Sequence, residues 1–184
     1  MPLRWNWHID AICQHLEAVT DGRIRHLLIN IPPGHMKSLL VSVFWPAWVW
    51  IRWPEKRGIF SSYAHDLAVR DSLRCRDIID SPWYQENFVR GEWTVSPEGE
   101  LAVEEGWSLS EDQNRKDYFS NTKKGFRICT SVGGKGTGFR GDWIVVDDPL
   151  NASDAYSKAA REEAIRWWDQ TMSSRLNDPA VGAK

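Results

Sequence analysis

Two short runs of residues carry the chemistry that this sequence offers. The first is Pro32-Pro33-Gly34-His35-Met36-Lys37-Ser38, set between a short apolar run and a segment with helical patterning. A loop in that position aims backbone N–H groups at a bound anion, and the helix dipole favours negative charge there. In a phosphate-binding loop of the pattern G-x-x-x-x-G-K-[ST], the lysine reaches the β- and γ-phosphates and the hydroxyl ligates Mg²⁺. Lys37 and Ser38 take those two places, and Pro33, Gly34, His35 and Met36 form the loop wall, His35 through its backbone N–H. Ile31 and Met36 stand where the pattern has glycine. By itself the run fits a strand-to-helix turn with a surface lysine equally well.

The second run is Trp143-Ile144-Val145-Val146-Asp147-Asp148, whose first acid follows Lys37 by 110 residues. An apolar strand ending in an acid is what a nucleotide site needs beside its phosphate loop, because that acid holds Mg²⁺ through water. Two adjacent acids at a buried strand end are costly without a cation to offset them. Asp147 is therefore the candidate magnesium acid, together with Ser38. Asp148 is the candidate base, in a place where many such ATPases carry the longer Glu. Ahead of this strand, Gly133 to Gly141 form a glycine-rich turn containing Arg140. Arg140 reads either as an arginine finger acting on a neighbouring subunit's site or as a loop arginine paired with a surface acid.

The elements that must position these residues follow from periodicity. Apolar residues at Ile9, Ile12, Cys13, Leu16 and Val19 predict a helix stopped by Gly22. Arg25–Ile31 reads as a buried strand, and Lys37 to about Trp45 as a helix that Pro46 bends or ends. A second strand-helix unit spans Gly58–Tyr63 and His65–Ile79, closed by Ser81-Pro82. Trp93–Val103 suggests a hairpin around Pro97-Glu98-Gly99, and the polar stretch Ser108–Lys124 a loop or insertion. Phe126–Val132 and Trp143–Val146 are further strands, and Asp154 to about Leu176 is helical, with Ser153 as N-cap. Strands alternating with helices predict one α/β domain over residues 1–184, with a mainly parallel central sheet flanked by helices.

Composition narrows the classes. With 42% hydrophobic and 26% charged residues, the chain is globular rather than disordered. Its twelve tryptophans require burial in a core or an interface. A net charge of −2 gives no support to a surface that wraps nucleic acid, although one local patch in a ring of subunits is compatible with it. Cys13, Cys75 and Cys129 include no CxxC pair, and the five histidines have no metal-ligand spacing. Reduced thiols of a cytoplasmic protein are the plain reading. The N-terminus lacks an apolar signal-peptide core, and Leu39–Ile51 is too short to span a bilayer.

Several ordered blocks resemble phage terminase large subunits. They are Arg25 to Ser38, Ser62-Tyr63-Ala64, Thr137-Gly138-Phe139-Arg140-Gly141, Val145 to Pro149, and Trp168 to Leu176. The resemblance implies a RecA-like (ASCE) P-loop ATPase that uses ATP and Mg²⁺ to drive double-stranded DNA into a procapsid. It implies a ring on a portal protein, with a small terminase subunit, in the cytoplasm of an infected or lysogenic bacterium. The family often has Arg where Gly34 stands, which shifts the arginine role to Arg140 or another residue. Its coupling segment and nuclease domain are expected beyond Lys184. Two other readings stay open: a helicase-like ASCE ATPase, and a nucleotide-binding interaction module without turnover.

Overall fold

The computed structural model describes residues 4–89, 93–95, 101–103, 106–134, 138–180 and 182–184. Helix α1 (Trp7–Thr20) starts where the Asn6 side chain accepts from the Trp7 N–H, and ends ahead of Gly22 at φ 74°. Residues 25–31 form no strand, unlike the expectation for Arg25–Ile31. A strand needs a ladder, and among the described residues this segment finds only Lys184: Lys184 N–H donates to Arg25 C=O, and Leu27 N–H donates to Lys184 C=O.

Residues 37–52 form one helical run: α2 (Lys37–Leu39), a π-helical stretch at Leu40–Phe44, and α3 (Trp45–Arg52). Pro46 therefore neither ends nor breaks it. The wider π turn, in which Trp45 N–H donates to Leu40 C=O, comes immediately before the residue that lacks a donor. Strand β1 (Arg57–Ser62) and helix α4 (His65–Asp80) follow as expected. Next come a short α5 (Pro82–Tyr84) with a π turn at Gln85–Val89, and an antiparallel pair, β2 (Trp93–Val95) and β3 (Leu101–Val103). The anticipated turn at residues 97–99 lies outside the described residues.

The segment expected to be a loop, Ser108–Lys124, instead contains two antiparallel strands, β4 (Leu109–Asn114) and β5 (Tyr118–Asn121). Strand β4 is an edge strand, so its polar sequence, Leu-Ser-Glu-Asp-Gln-Asn, needs no apolar continuity. Strands β6 (Phe126–Ser131) and β7 (Trp143–Asp147) complete a five-stranded sheet of order β4-β5-β6-β1-β7. The three strands β6, β1 and β7 are parallel, and β4 and β5 run antiparallel, so the sheet is mixed with a parallel core.

The last helix starts later than expected. Asp154–Tyr156 is a 3₁₀ turn, and Ser157, accepting from Ala160 N–H, caps α6 (Lys158–Trp167). Ser153 instead donates its hydroxyl to the Asn151 side chain. A π turn at Trp168–Met172 then leads to the C-terminal segment.

Alternation along β1 divides the core between the two faces of the sheet. Ile59, Ile128 and Ile144 pack against Trp167, Met172 and Leu176. Phe60 and Cys129 belong to the other face, where the Cys129 thiol meets the α4 Ala68 carbonyl. Of the tryptophans, Trp45, Trp50, Trp107, Trp143 and Trp167 are buried, whereas Trp5, Trp7, Trp48 and Trp83 are exposed. Among the described residues, no helix is long and apolar enough to cross a membrane.

Candidate functional site

The C-terminal ends of β1 and β7 meet the start of the helical run at residue 37. Tyr63 N–H donates to Asp148 C=O across the strand ends, and Val132 N–H donates to Ser62 C=O. The crevice beyond the carboxyl ends of parallel strands is where open α/β sheets bind ligands.

The loop before Lys37 turns through two left-handed residues, Gly34 at φ 82° and Met36 at φ 65°. Glycine adopts this region freely, whereas for an L-residue such as Met it costs about 1–2 kcal/mol. Met36 occupies a glycine position of the phosphate-loop pattern, and its backbone keeps a conformation that glycine would adopt without strain. The His35 ring is engaged with the loop itself: Nδ1 lies 3.1 Å from both the Pro32 and Pro33 carbonyl oxygens, and the ring stands edge-on to His8 at 5.4 Å. Pro32, Pro33, Gly34 and His35 are exposed, as a ligand-facing loop requires.

Lys37 and the two acids come together. Lys37 Nζ lies 3.0 Å from Asp147 Oδ1 and 2.5 Å from Asp148 Oδ1. The side chains of Lys37 and Asp147 are only 22% and 15% exposed, so this pair is shielded from solvent, while Asp148 at 60% stands out in water. Burial alone would lower the Lys37 pKa. Hydrogen bonds to Asp148 and Asp147, and their charges, outweigh it and hold the ammonium above its ordinary value. Asp148 also has a left-handed backbone, φ 46°, which turns the chain out of β7.

Ser38, Asp147 and Asp148 line one polar pocket of about 220 Å³, with Ser42, Ser61 and Ser62 around them. A hydroxyl and one or two carboxylates suit Mg²⁺, which keeps several waters and completes its shell with substrate phosphates. Lys37 already stands as the cation against both acids. The donor set would suit a divalent ion only if a phosphate ligand drew the lysine away.

Arg140 is not brought to this site. It is exposed and precedes Gly141 and Asp142, whose backbones contact Arg57 at the opposite end of β1. Any action by Arg140 must therefore be on another molecule.

Sequence reasoning missed the pocket's other charged groups. Asp71 on α4, 4% exposed, pairs with Arg70 and Arg74. Arg127 on β6 is 2% exposed and lies 3.7 Å over the Phe60 ring, and among the described residues its guanidinium nitrogens have no hydrogen-bond partner within normal distance and angle limits. Its signal was an arginine inside an apolar strand, at a position sharing a face with Cys129.

No protein-family model and no curated protein matches the chain. The class that fold and site define is an α/β protein with a Lys-Asp-Asp cluster at the C-terminal ends of parallel strands. Beyond that class, the functional reading rests on the site residues.

Proposed function

We propose that the chain is a RecA-like P-loop domain that binds and hydrolyses ATP with Mg²⁺, serving as the motor domain of a terminase large subunit. One observation carries the nucleotide reading: Lys37 and the Asp147-Asp148 pair, 110 residues apart, meet in one ion cluster beside Ser38. An ammonium held by two carboxylates is a cation already placed at a strand end, where phosphate oxygens compete for it. In this reading the loop from Pro33 to Met36 wraps the phosphates and Lys37 turns from Asp148 to the β- and γ-oxygens. Ser38 and Asp147 hold the metal. Magnesium, when bound, draws off charge developing on the transferred phosphoryl group. Asp148, exposed and released from Lys37, is then free to orient the attacking water.

The packaging role, with double-stranded DNA, a portal, a small subunit and a ring of copies in the bacterial cytoplasm, is supported by the sequence blocks that resemble terminases. In such a ring the exposed Arg140 would reach a neighbour's site. A second reading, nucleotide binding without turnover, is favoured by the short Asp148 carboxylate on a left-handed residue.

Thermal shift and phosphate release test the proposal together. ATP with Mg²⁺ should raise the melting temperature, and Lys37→Ala should abolish that rise and any hydrolysis. Binding without phosphate release would select the second reading. No shift in the unaltered chain would end both.

A further inference from the structure

Arg127 owes its place to the strand beside it. On β1 the Phe60 ring lies back over Gly58, where an added Cβ would stand 2.6 Å from the ring. Arg127 is level with Gly58 in the parallel register, and its guanidinium carbon lies 3.7 Å over the Phe60 ring. Alternation puts Gly58, Phe60 and Ser62 on one face of β1, and Asp147 of β7 is level with Ser62. Helix α4 covers this face through Leu67, Ala68 and Asp71, and the helical run from Lys37 covers it through Ser38 and Ser42. The polar pocket of about 220 Å³ lies between them, with the acids at the strand ends and Arg127 in its floor.

Charge in this pocket is unbalanced. Asp147 and Asp148 pair with Lys37, and Asp71 pairs with Arg70 and Arg74. Each of the pocket's three acids is thus held by another cation, and Arg127 stands among the described residues as an unmatched charge. The neighbouring Cys75 thiol supplies no counter-charge, because burial pushes it up to about 11. Arginine stays protonated throughout the ordinary pH range, and a buried charge without a partner is costly. The Phe60 ring offsets only part of that cost.

We propose that the pocket binds a small tetrahedral oxyanion, inorganic phosphate, on the Arg127 guanidinium, with the Ser42 and Ser62 hydroxyls as further donors. The planar fork of arginine matches two phosphate oxygens at once. Ser42 and Ser62 are themselves buried, 4% and 6% exposed, and line the same pocket. Burial selects a free ion over the phosphodiester of a polymer, because Arg127 at 2% exposed is out of reach of a strand lying on the surface. Size selects in the same direction. The 220 Å³ of the pocket falls below the roughly 300 Å³ at which sites for larger organic ligands begin, yet exceeds several times the about 30 Å³ of one water. The site does not rest on the nucleotide reading, since Lys37 takes no part in it.

Calorimetric titration with inorganic phosphate, at ionic strength held constant with chloride, tests the site. The unaltered chain should bind one phosphate, and Arg127→Met should weaken binding at least about tenfold, the scale of one charge-assisted pair. Arg127→Lys keeps the charge but loses the fork, and should fall between the two. Arg115→Met removes an arginine that is 65% exposed, and should bind as the unaltered chain does. Phosphate at about ten times its Kd should also raise the melting temperature of the unaltered chain by about 3–5 °C, and leave that of Arg127→Met in place. No binding by the unaltered chain would overturn the proposal and leave water as the partner of the guanidinium. Binding that survives Arg127→Met and is lost in Lys37→Ala would overturn it too, placing phosphate on the loop and supporting the nucleotide reading alone. A response to a short single-stranded oligonucleotide but not to phosphate would assign the pocket to a polymer and sink the proposal.

Discussion

Asp147 lies between two cavities of opposite character. On the β1 side is the polar pocket of about 220 Å³, walled by hydroxyls, carboxylates and arginines. On the free edge of β7 is the apolar cleft of about 660 Å³. The acids of the polar pocket are already paired, Asp147 and Asp148 with Lys37 and Asp71 with Arg70 and Arg74, so a ligand there must exchange ionic partners. The apolar cleft is lined mainly by aliphatic and aromatic side chains, so an occupant there would be held by burial of apolar surface. The difference sets ionic exchange against apolar burial at a single strand end.

Mutations on the two sides should therefore have effects of different kinds. Asp147→Asn removes the candidate magnesium acid while keeping its size. It should lower ATP hydrolysis at least about 100-fold, the scale of losing a charged group that acts at the transition state. Ile165→Asp, in the apolar cleft on an exposed turn of α6, should leave hydrolysis within about twofold. Steady-state phosphate release on both proteins checks the contrast. Equal losses would mean that the two cavities form one site.

Arg127 tests whether the floor of the polar pocket serves stability. A buried guanidinium without hydrogen-bond partners is costly, and an apolar residue of similar length avoids that cost. The Cys75 thiol next to it is pushed up to about 11, chiefly by burial, although Arg127 pulls it the other way. Arg127→Met should leave stability unchanged or raise it by up to about 2 kcal/mol, measured by urea unfolding. A loss of more than about 1 kcal/mol would show that the guanidinium is paired in solution.

How much of this was legible in the sequence depends on what each residue needs around it. Lys37-Ser38 and Asp147-Asp148 could be found because each pair sits at a junction bounded by turn residues, and β1, β6 and β7 because each carries a short apolar run (Ile59-Phe60, Ile128-Cys129 and Ile144 to Val146) close to turn residues. Strand β4 was hidden because an edge strand can be polar. The start of α6 was misplaced because Ser153 and Ser157 offer the same capping chemistry, and only the 3₁₀ turn between them decides which one caps. The Arg25–Ile31 run has a strand's composition, yet composition cannot supply the neighbouring ladder it lacks. Arg127 was passed over because charge in an apolar strand reads as outward-facing until the sheet's faces are known.

The smallest expected effect separates the cavities by pH. The Lys37 pKa in the folded protein lies above its ordinary 10.5, because the two aspartates outweigh its burial. A group whose folded pKa is raised contributes stability that is fully present below the unfolded value and is lost as pH rises through the folded one. The contribution should therefore be constant between pH 7 and 9 and fade only above about 10.5. With Asp148 largely in solvent, it should amount to no more than about 1 kcal/mol. The difference in unfolding free energy between the unaltered chain and Lys37→Met measures it directly. That difference should hold steady to pH 9 and narrow beyond pH 10.5, while the same comparison for Ile165→Asp should show no narrowing there, since neither residue titrates in that range. A lysine difference that already narrows by pH 8 would mean that burial, not the aspartates, governs Lys37, and that the ammonium is not held between them.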